Sequence, residues 1–167
     1  MNSCLLSQVT VGKYPREGND LNVMVSSGLA TEGITVDRIR VVLADDHREV
    51  ILKIRGILGD DEYDIVEAAV NGNQAVTAVL ELDPDVFVTD ISMPLLNGLQ
   101  AARRIQKANS RVKIIFLTIH EDRDFIAAAF SAGATGYVTK RRLSIDLVFA
   151  IKEALKGHTF VSNSTRT

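Results

Sequence analysis

From residue 39 onward the apolar positions alternate between two rhythms, and each change of rhythm marks a new element. Ile39-Arg40-Val41-Val42-Leu43-Ala44 is a short, β-branched apolar run of the kind that a strand buried on both faces requires. Residues 47–58 then place Val50, Ile51, Ile54, Ile57 and Leu58 on one helical stripe, and Gly59 supplies the stop. The alternation repeats to the end of the chain. Residues 63–70, 85–90, 112–118 and 134–139 read as strands, and residues 73–82, 97–108 and 123–132 as helices. Asn97 and Gln100 are spaced as a capping box at the start of the second of those helices. A last helix is expected to start at a Ser144 cap, to carry Leu147, Val148, Ile151, Ala154 and Leu155 on its stripe, and to end at Gly157. Five strands alternating with five helices predict an α/β fold: a doubly wound five-stranded parallel sheet covered on both faces. Residues 1–38 hold Gly12, Gly18, Gly28 and Gly33 and sustain neither rhythm, so they read as a flexible N-terminal extension, with residues 21–25 as a short extra strand. The domain proper is then 39–162, and 163–167 starts a linker or tail.

Composition narrows the class. With 167 residues, 46% hydrophobic and 24% charged, the chain has the ordinary globular mix and enough apolar surface for one core, which excludes a mainly disordered protein. Lys plus Arg is 19 against 21 Asp plus Glu, so no basic excess exists to hold a polyanion, and nucleic acid is not expected as a direct partner. Cys4 is the single cysteine, which excludes an intrachain disulfide and suits a reducing cytoplasm. The longest uncharged stretch, residues 125–139, is shorter than the roughly 20 apolar residues a spanning helix needs, and the N-terminus lacks the early basic residues of a signal peptide. No membrane association is expected.

In an open parallel sheet, ligands bind beyond the carboxyl ends of the strands, at the point where strand order reverses. The residues at those ends are Asp45 and Asp46, Asp90, Thr118 and Lys140. Two carboxylates ~4 Å apart repel by roughly 4 kcal/mol at an effective dielectric of 20, so clustered acids recruit a cation or hold a proton. Oxygen donors of this kind suit Mg²⁺. A divalent ion, an ammonium and a hydroxyl around one carboxylate make a site for phosphoryl transfer. Each residue also has a plainer reading. Asp45-Asp46 with Glu49 fits a helix cap, Thr118 a β-branched strand residue, and Tyr137 a half-buried core aromatic. His47, His120 and His158 lack metal-like spacing and read as site-edge or surface residues. Arg103-Arg104 and Arg141-Arg142 read as solvated faces. A nucleotide or flavin binder on the same architecture is disfavoured, since no glycine-rich phosphate loop follows the first strand, and a small hydrolase would need a second acid or base that is not evident.

Four segments in order carry a resemblance. They are Leu43-Ala44-Asp45-Asp46-His47, Thr89-Asp90-Ile91-Ser92-Met93-Pro94 with Asn97-Gly98, Leu117-Thr118, and Gly133-Ala134-Thr135-Gly136-Tyr137-Val138-Thr139-Lys140. With intervals of 44, 28 and 22 residues from Asp46 to Asp90, Thr118 and Lys140, they resemble the receiver domain of bacterial two-component response regulators. The run His120-Glu121-Asp122 and the tail Leu155-Lys156-Gly157-His158-Thr159-Phe160-Val161-Ser162 resemble the NarL/FixJ-type (LuxR-type) subfamily.

The resemblance implies a flavodoxin-like receiver fold over residues 39–162. It implies Asp90 as phosphoacceptor, served by a sensor histidine kinase in a Mg²⁺-dependent reaction. Asp45, Asp46, Asp90 and the Ser92 backbone carbonyl would hold the ion, Lys140 and Thr118 would contact the phosphoryl group, and Tyr137 would follow the state of Thr118 by turning inward. Such a domain catalyses only its own phosphorylation and dephosphorylation, in the cytoplasm, and switches a transcriptional output. It would dimerise through helix four, strand five and helix five, or through helices one and five. DNA would be met only through a C-terminal helix-turn-helix domain, if the full protein has one. Two positions depart from many receivers: Arg141 stands where Pro often follows the lysine, and bulky Ile119 follows Thr118, where it would narrow access to Asp90. The alternative is a degenerate receiver acting as a phosphorylation-independent interaction module, against which the intact Asp45, Asp46, Asp90, Thr118 and Lys140 set weighs.

Overall fold

A computed structural model of the chain describes residues 37–108 and 111–162. The elements are β1 (Ile39–Ala44), α1 (Arg48–Leu58), β2 (Tyr63–Ala69), α2 (Gly72–Leu82), β3 (Val86–Thr89), α3 (Gly98–Ala108), β4 (Lys113–Thr118), α4 (Arg123–Ser131), β5 (Ala134–Thr139), α5 (Leu143–Leu155) and β6 (Phe160–Val161). A 3-10 turn, Lys140–Arg142, joins β5 to α5. The strands form one sheet in the order β2-β1-β3-β4-β5-β6, and every neighbouring pair is parallel.

The period of two along each strand sends side chains to two separate cores. On one face Val41, Leu43, Val88 and Leu117 pack under α1 and α5, against Ile51, Ile54, Leu147 and Ile151. On the other, Val42, Phe87, Ile114 and Phe116 pack under α2, α3 and α4, against Ala75, Val79, Ala102, Ile105 and Ala129. Burying one such Val, Leu, Ile or Phe contributes about 1.5–3 kcal/mol, so the double coverage explains why the strands read as continuous apolar runs. From β1 the chain steps outward to β2 and returns across β1 to β3. The reversal therefore falls between β1 and β3, whose carboxyl ends carry Asp45, Asp46 and Asp90.

The capping box forms as expected: Gln100 N–H donates to Asn97 Oδ1 at 2.8 Å and Asn97 N–H to Gln100 Oε1 at 3.2 Å. Helix α2 starts one residue before its expected limit because Asn71 Oδ1 accepts from Gln74 N–H at 3.0 Å. Ser144 does not cap the last helix. The 3-10 turn runs directly into α5, Arg142 takes the cap position, and Ser144 lies exposed in the first turn. Neither Asp45 nor Asp46 caps α1, whose cap residue is His47. The sheet gains a sixth strand, two residues long and so without a readable period. Cys4 and the strand expected over 21–25 lie outside the described residues, as does 163–167. Among the described residues no helix is long and apolar enough to cross a membrane.

Candidate functional site

Backbone pairing sets the two acid-bearing strand ends side by side. Asp90 N–H donates to Ala44 O at 2.8 Å, and Asp45 N–H to Ala69 O at 3.1 Å, each continuing its ladder one step past the strand. Asp45 and Asp90 are 1% and 5% exposed. Lys140, the first residue beyond β5, brings its Nζ to 2.8 Å from Asp45 Oδ2 and 3.0 Å from Asp90 Oδ2. The ammonium is thus the partner of that buried Asp45 oxygen as well as of Asp90. Burial works to lower the Lys140 pKa; the contacts with Asp45 and Asp90 outweigh it and hold the ammonium above its ordinary value. The remaining oxygens face other donors. Ile91 N–H donates to Asp90 Oδ1 at 2.7 Å, and His47 N–H to Asp45 Oδ1 at 2.8 Å.

Asp46 is the open member of the set, its side chain 34% exposed. His47 Nδ1 lies 3.1 Å from Asp45 Oδ1 and 2.9 Å from Asp46 Oδ1. One ligand atom from each of Asp45, Asp46, His47 and Asp90 falls within 4.8 Å of the others, a spread that a single divalent ion can span. Three of the four donors are carboxylates gathered at one strand edge, a hard oxygen set that fits a Mg²⁺ ion. Ser92 lies exposed in the β3–α3 loop beside them.

Thr118 ends β4, fully buried, and its Oγ1 accepts from His120 N–H at 3.2 Å. Tyr137 is also fully buried and donates its OH to His120 O at 2.9 Å. The plain reading of Tyr137 as half-buried is therefore corrected: the ring already lies inside. Burial, followed by the charges of Asp122, Asp90 and Glu121, pushes its pKa up to about 12. Thr118 and Tyr137 thus meet through one residue, on opposite sides of its backbone. The His120 ring stacks on Phe125 with centroids 3.9 Å apart, and its Nε2 lies 3.3 Å from Ser92 Oγ. Ile119 is 71% exposed, so its bulk stands in solvent.

Gly98 shows why a glycine opens α3. Its N–H donates to Ile91 O at 2.9 Å, and a Cβ there would overlap the Asp90 carbonyl and crowd Thr89 Oγ1. Sequence reasoning brought Asp45, Asp46, Asp90, Thr118 and Lys140 to one sheet edge, and the structure places all five there. His47 and His120, which read from the sequence as site-edge or surface residues, stand at the edge of this site, each within two residues of a strand-end site residue.

Residues 41–152 match the model of the response regulator receiver domain. The transcriptional regulatory protein DegU of Brevibacillus brevis is 30% identical over 131 residues, covering 78% of this chain and 56% of that protein. The response regulator UvrY of Escherichia coli is 36% identical over 126 residues, covering 75% of this chain and 58% of that protein. The chain thus spans less than two thirds of these curated relatives. The crystal structure of a LuxR-family two-component response regulator from Aurantimonas sp. SI85-9A1 is 33% identical, with a TM-score of 0.70, covering 74% of this chain and 89% of that one.

Proposed function

Because the chain belongs to the response regulator receiver family, we propose that Asp90 accepts a phosphoryl group from the phosphohistidine of a sensor histidine kinase. The observation that carries this reading is the Lys140 ammonium set between Asp45 and Asp90 at 2.8 and 3.0 Å. It places a positive charge beside the buried Asp90 carboxylate, the nucleophile in this reading. An Asp90 carboxylate oxygen forms the new bond to phosphorus while the phosphorus–nitrogen bond breaks, and the leaving imidazole keeps the electron pair and takes up a proton. Asp45, Asp46, Asp90 and the Ser92 backbone carbonyl would hold Mg²⁺, which would supply charge stabilisation for the phosphoryl oxygens. Lys140 pairs with one of those oxygens once the group is in place. Thr118 Oγ1 accepts from His120 and so keeps its own hydrogen to donate.

In the same reading the receiver spans 39–162, after an extension of 1–38, 163–167 begins a linker or C-terminal tail, and the domain switches a transcriptional output in the cytoplasm. Self-association would run through α1 and α5 or through α4, β5 and α5; Ile145 and Phe149, 69% and 54% exposed, lie on the helix common to both surfaces, and Leu52 on α1, 56% exposed, adds to the first. The test of the acceptor is modification by acetyl phosphate with Mg²⁺, mapped by mass spectrometry. The phosphoryl group is expected on Asp90 and absent in Asp90→Asn; its appearance on another residue would overturn the assignment.

A further inference from the structure

We propose that His47 is a fourth metal donor, so that this site takes a borderline transition ion such as Co²⁺ or Ni²⁺ through an imidazole nitrogen as well as Mg²⁺ through oxygens. The inference rests on the reading of Asp45, Asp46 and Asp90 as metal ligands. Its own support is the position of Nδ1. Ligand atoms at about 2.1 Å from a six-coordinate ion lie about 3 Å apart when adjacent and about 4.2 Å apart when opposite. Nδ1 is 3.1 Å from Asp45 Oδ1 and 2.9 Å from Asp46 Oδ1, and the four donors span no more than 4.8 Å. The spacing of adjacent ligands is thus already present.

Two features keep Nδ1 on this side of the cluster. The His47 backbone is fixed, with its N–H on Asp45 Oδ1 at 2.8 Å and its carbonyl accepting from Val50 N–H at 3.0 Å. Lys140 approaches Oδ2 of Asp45 and Asp90, whereas Nδ1 faces Oδ1 of Asp45 and Asp46. An ion held by His47 and the Oδ1 atoms does not need to displace the ammonium from Asp45. The ring is 66% exposed, so it stands on the open side of the site, where water would otherwise complete an ion's shell. Imidazole binds Mg²⁺ poorly and the later divalent metals well. The competing account of the same distances is an imidazolium hydrogen-bonded to two carboxylates, and it predicts no metal–nitrogen bond.

Calorimetric titration with Co²⁺ and with Mg²⁺, together with proton NMR of the Co²⁺ complex, separates the two. Wild-type protein is expected to show a paramagnetically shifted imidazole resonance. His47→Ala and His47→Gln should lose that resonance and about tenfold in Co²⁺ affinity, with Mg²⁺ affinity changed less than about threefold. Both variants should fold, because the side chain makes no capping bond. The resonance should survive His120→Ala and His158→Ala. Co²⁺ binding without the shifted resonance, or its loss with another histidine instead, would overturn the inference while leaving the receiver reading intact. Failure of wild-type protein to bind either ion would overturn both the inference and the metal assignment beneath it.

Discussion

Asp45 and Asp90 are too buried for water to screen their charges, so the stability of this edge depends on the Lys140 ammonium, which reaches both. Replacing Lys140 by Met removes that partner and leaves two close carboxylates. The expected loss is about 3 kcal/mol, read by thermal melting, with Mg²⁺ recovering more of it in the variant than it adds to wild type. The sign of the alkaline response follows from raised pKa values. Lys140 lies above its ordinary value, and Tyr63 and Tyr137 are pushed up to about 12. Groups of this kind stabilise fully below their unfolded values, near 10 for Tyr and Lys, and lose that contribution as pH rises through the folded ones. Melting temperature should therefore fall between about pH 10 and 12, less steeply in Tyr137→Phe. An unchanged slope would detach Tyr137 from the effect. Gly98→Ala should cost about 1–3 kcal/mol, since the new methyl presses on the Asp90 carbonyl. At this scale the acids and the lysine were legible because strand order alone carries strand ends to one edge. His47 was not, because its place depends on where Nδ1 points at the start of α1.

Elements with a long period were legible nearly to the residue, and those set by single hydrogen bonds were not. β1 and β5 match their expected limits, because apolar β-branched runs buried on both faces leave little freedom in where they end. The start of α5 and the whole of β6 depend instead on a clasp of side chains far apart in sequence. Asp146, 6% exposed, accepts from Arg142 Nε at 2.7 Å and Nη2 at 3.0 Å, and from Ser162 Oγ at 2.6 Å. Ser162 Oγ in turn accepts from Thr139 N–H at 3.3 Å, and Ser162 N–H donates to Tyr137 O at 2.8 Å. The clasp ties the far end of the described chain to the strand that carries Lys140. Ser162→Ala should cost about 1–2 kcal/mol and speed hydrogen exchange at Ser162 and along β6 while β1 and β3 stay protected. The Arg142 hydrogen bond, opposed by burial, holds the Asp146 carboxyl below the usual carboxylate range, with Ser162 adding to it. A depressed acid stabilises above its unfolded pKa, near 3.9, and loses that contribution as pH falls through the folded value. Faster β6 exchange below about pH 4, absent in Asp146→Asn, is the expected signature.

Among the described residues, exposed large apolar side chains stand on both helical layers, Leu80 on α2 and Leu52, Ile145 and Phe149 on α1 and α5. α5 turns Leu143, Leu147, Ala150, Ile151 and Ala154 into the core and leaves Ile145 and Phe149 outside, four residues apart on the opposite side. Leu52 is likewise exposed on the neighbouring α1, and Phe149 packs edge-on against Phe160 with centroids 5.4 Å apart, which fixes its ring in place. Preordered apolar side chains lose little entropy on association, so the proposed pairing with a second copy would draw on Ile145 and Phe149 and would be weak because so few apolar side chains stand out. A phosphoryl group on Asp90 strengthens pairing only by contacts that differ between two states of the domain. Tyr137 is already inside and bonded to His120, so its ring contributes little of that difference. The shift should come from Lys140 and Thr118 and remain incomplete, on the order of a few kcal/mol. Sedimentation of wild-type protein with and without beryllofluoride should show weak self-association that strengthens on binding. Phe149→Glu should abolish it, Tyr137→Phe should leave it nearly unchanged, and Thr118→Ala should bind beryllofluoride with no gain in pairing. Monomer profiles in every arm would remove the α1–α5 face as a dimer surface, and a strong effect of Tyr137→Phe would return the aromatic to the centre of the switch.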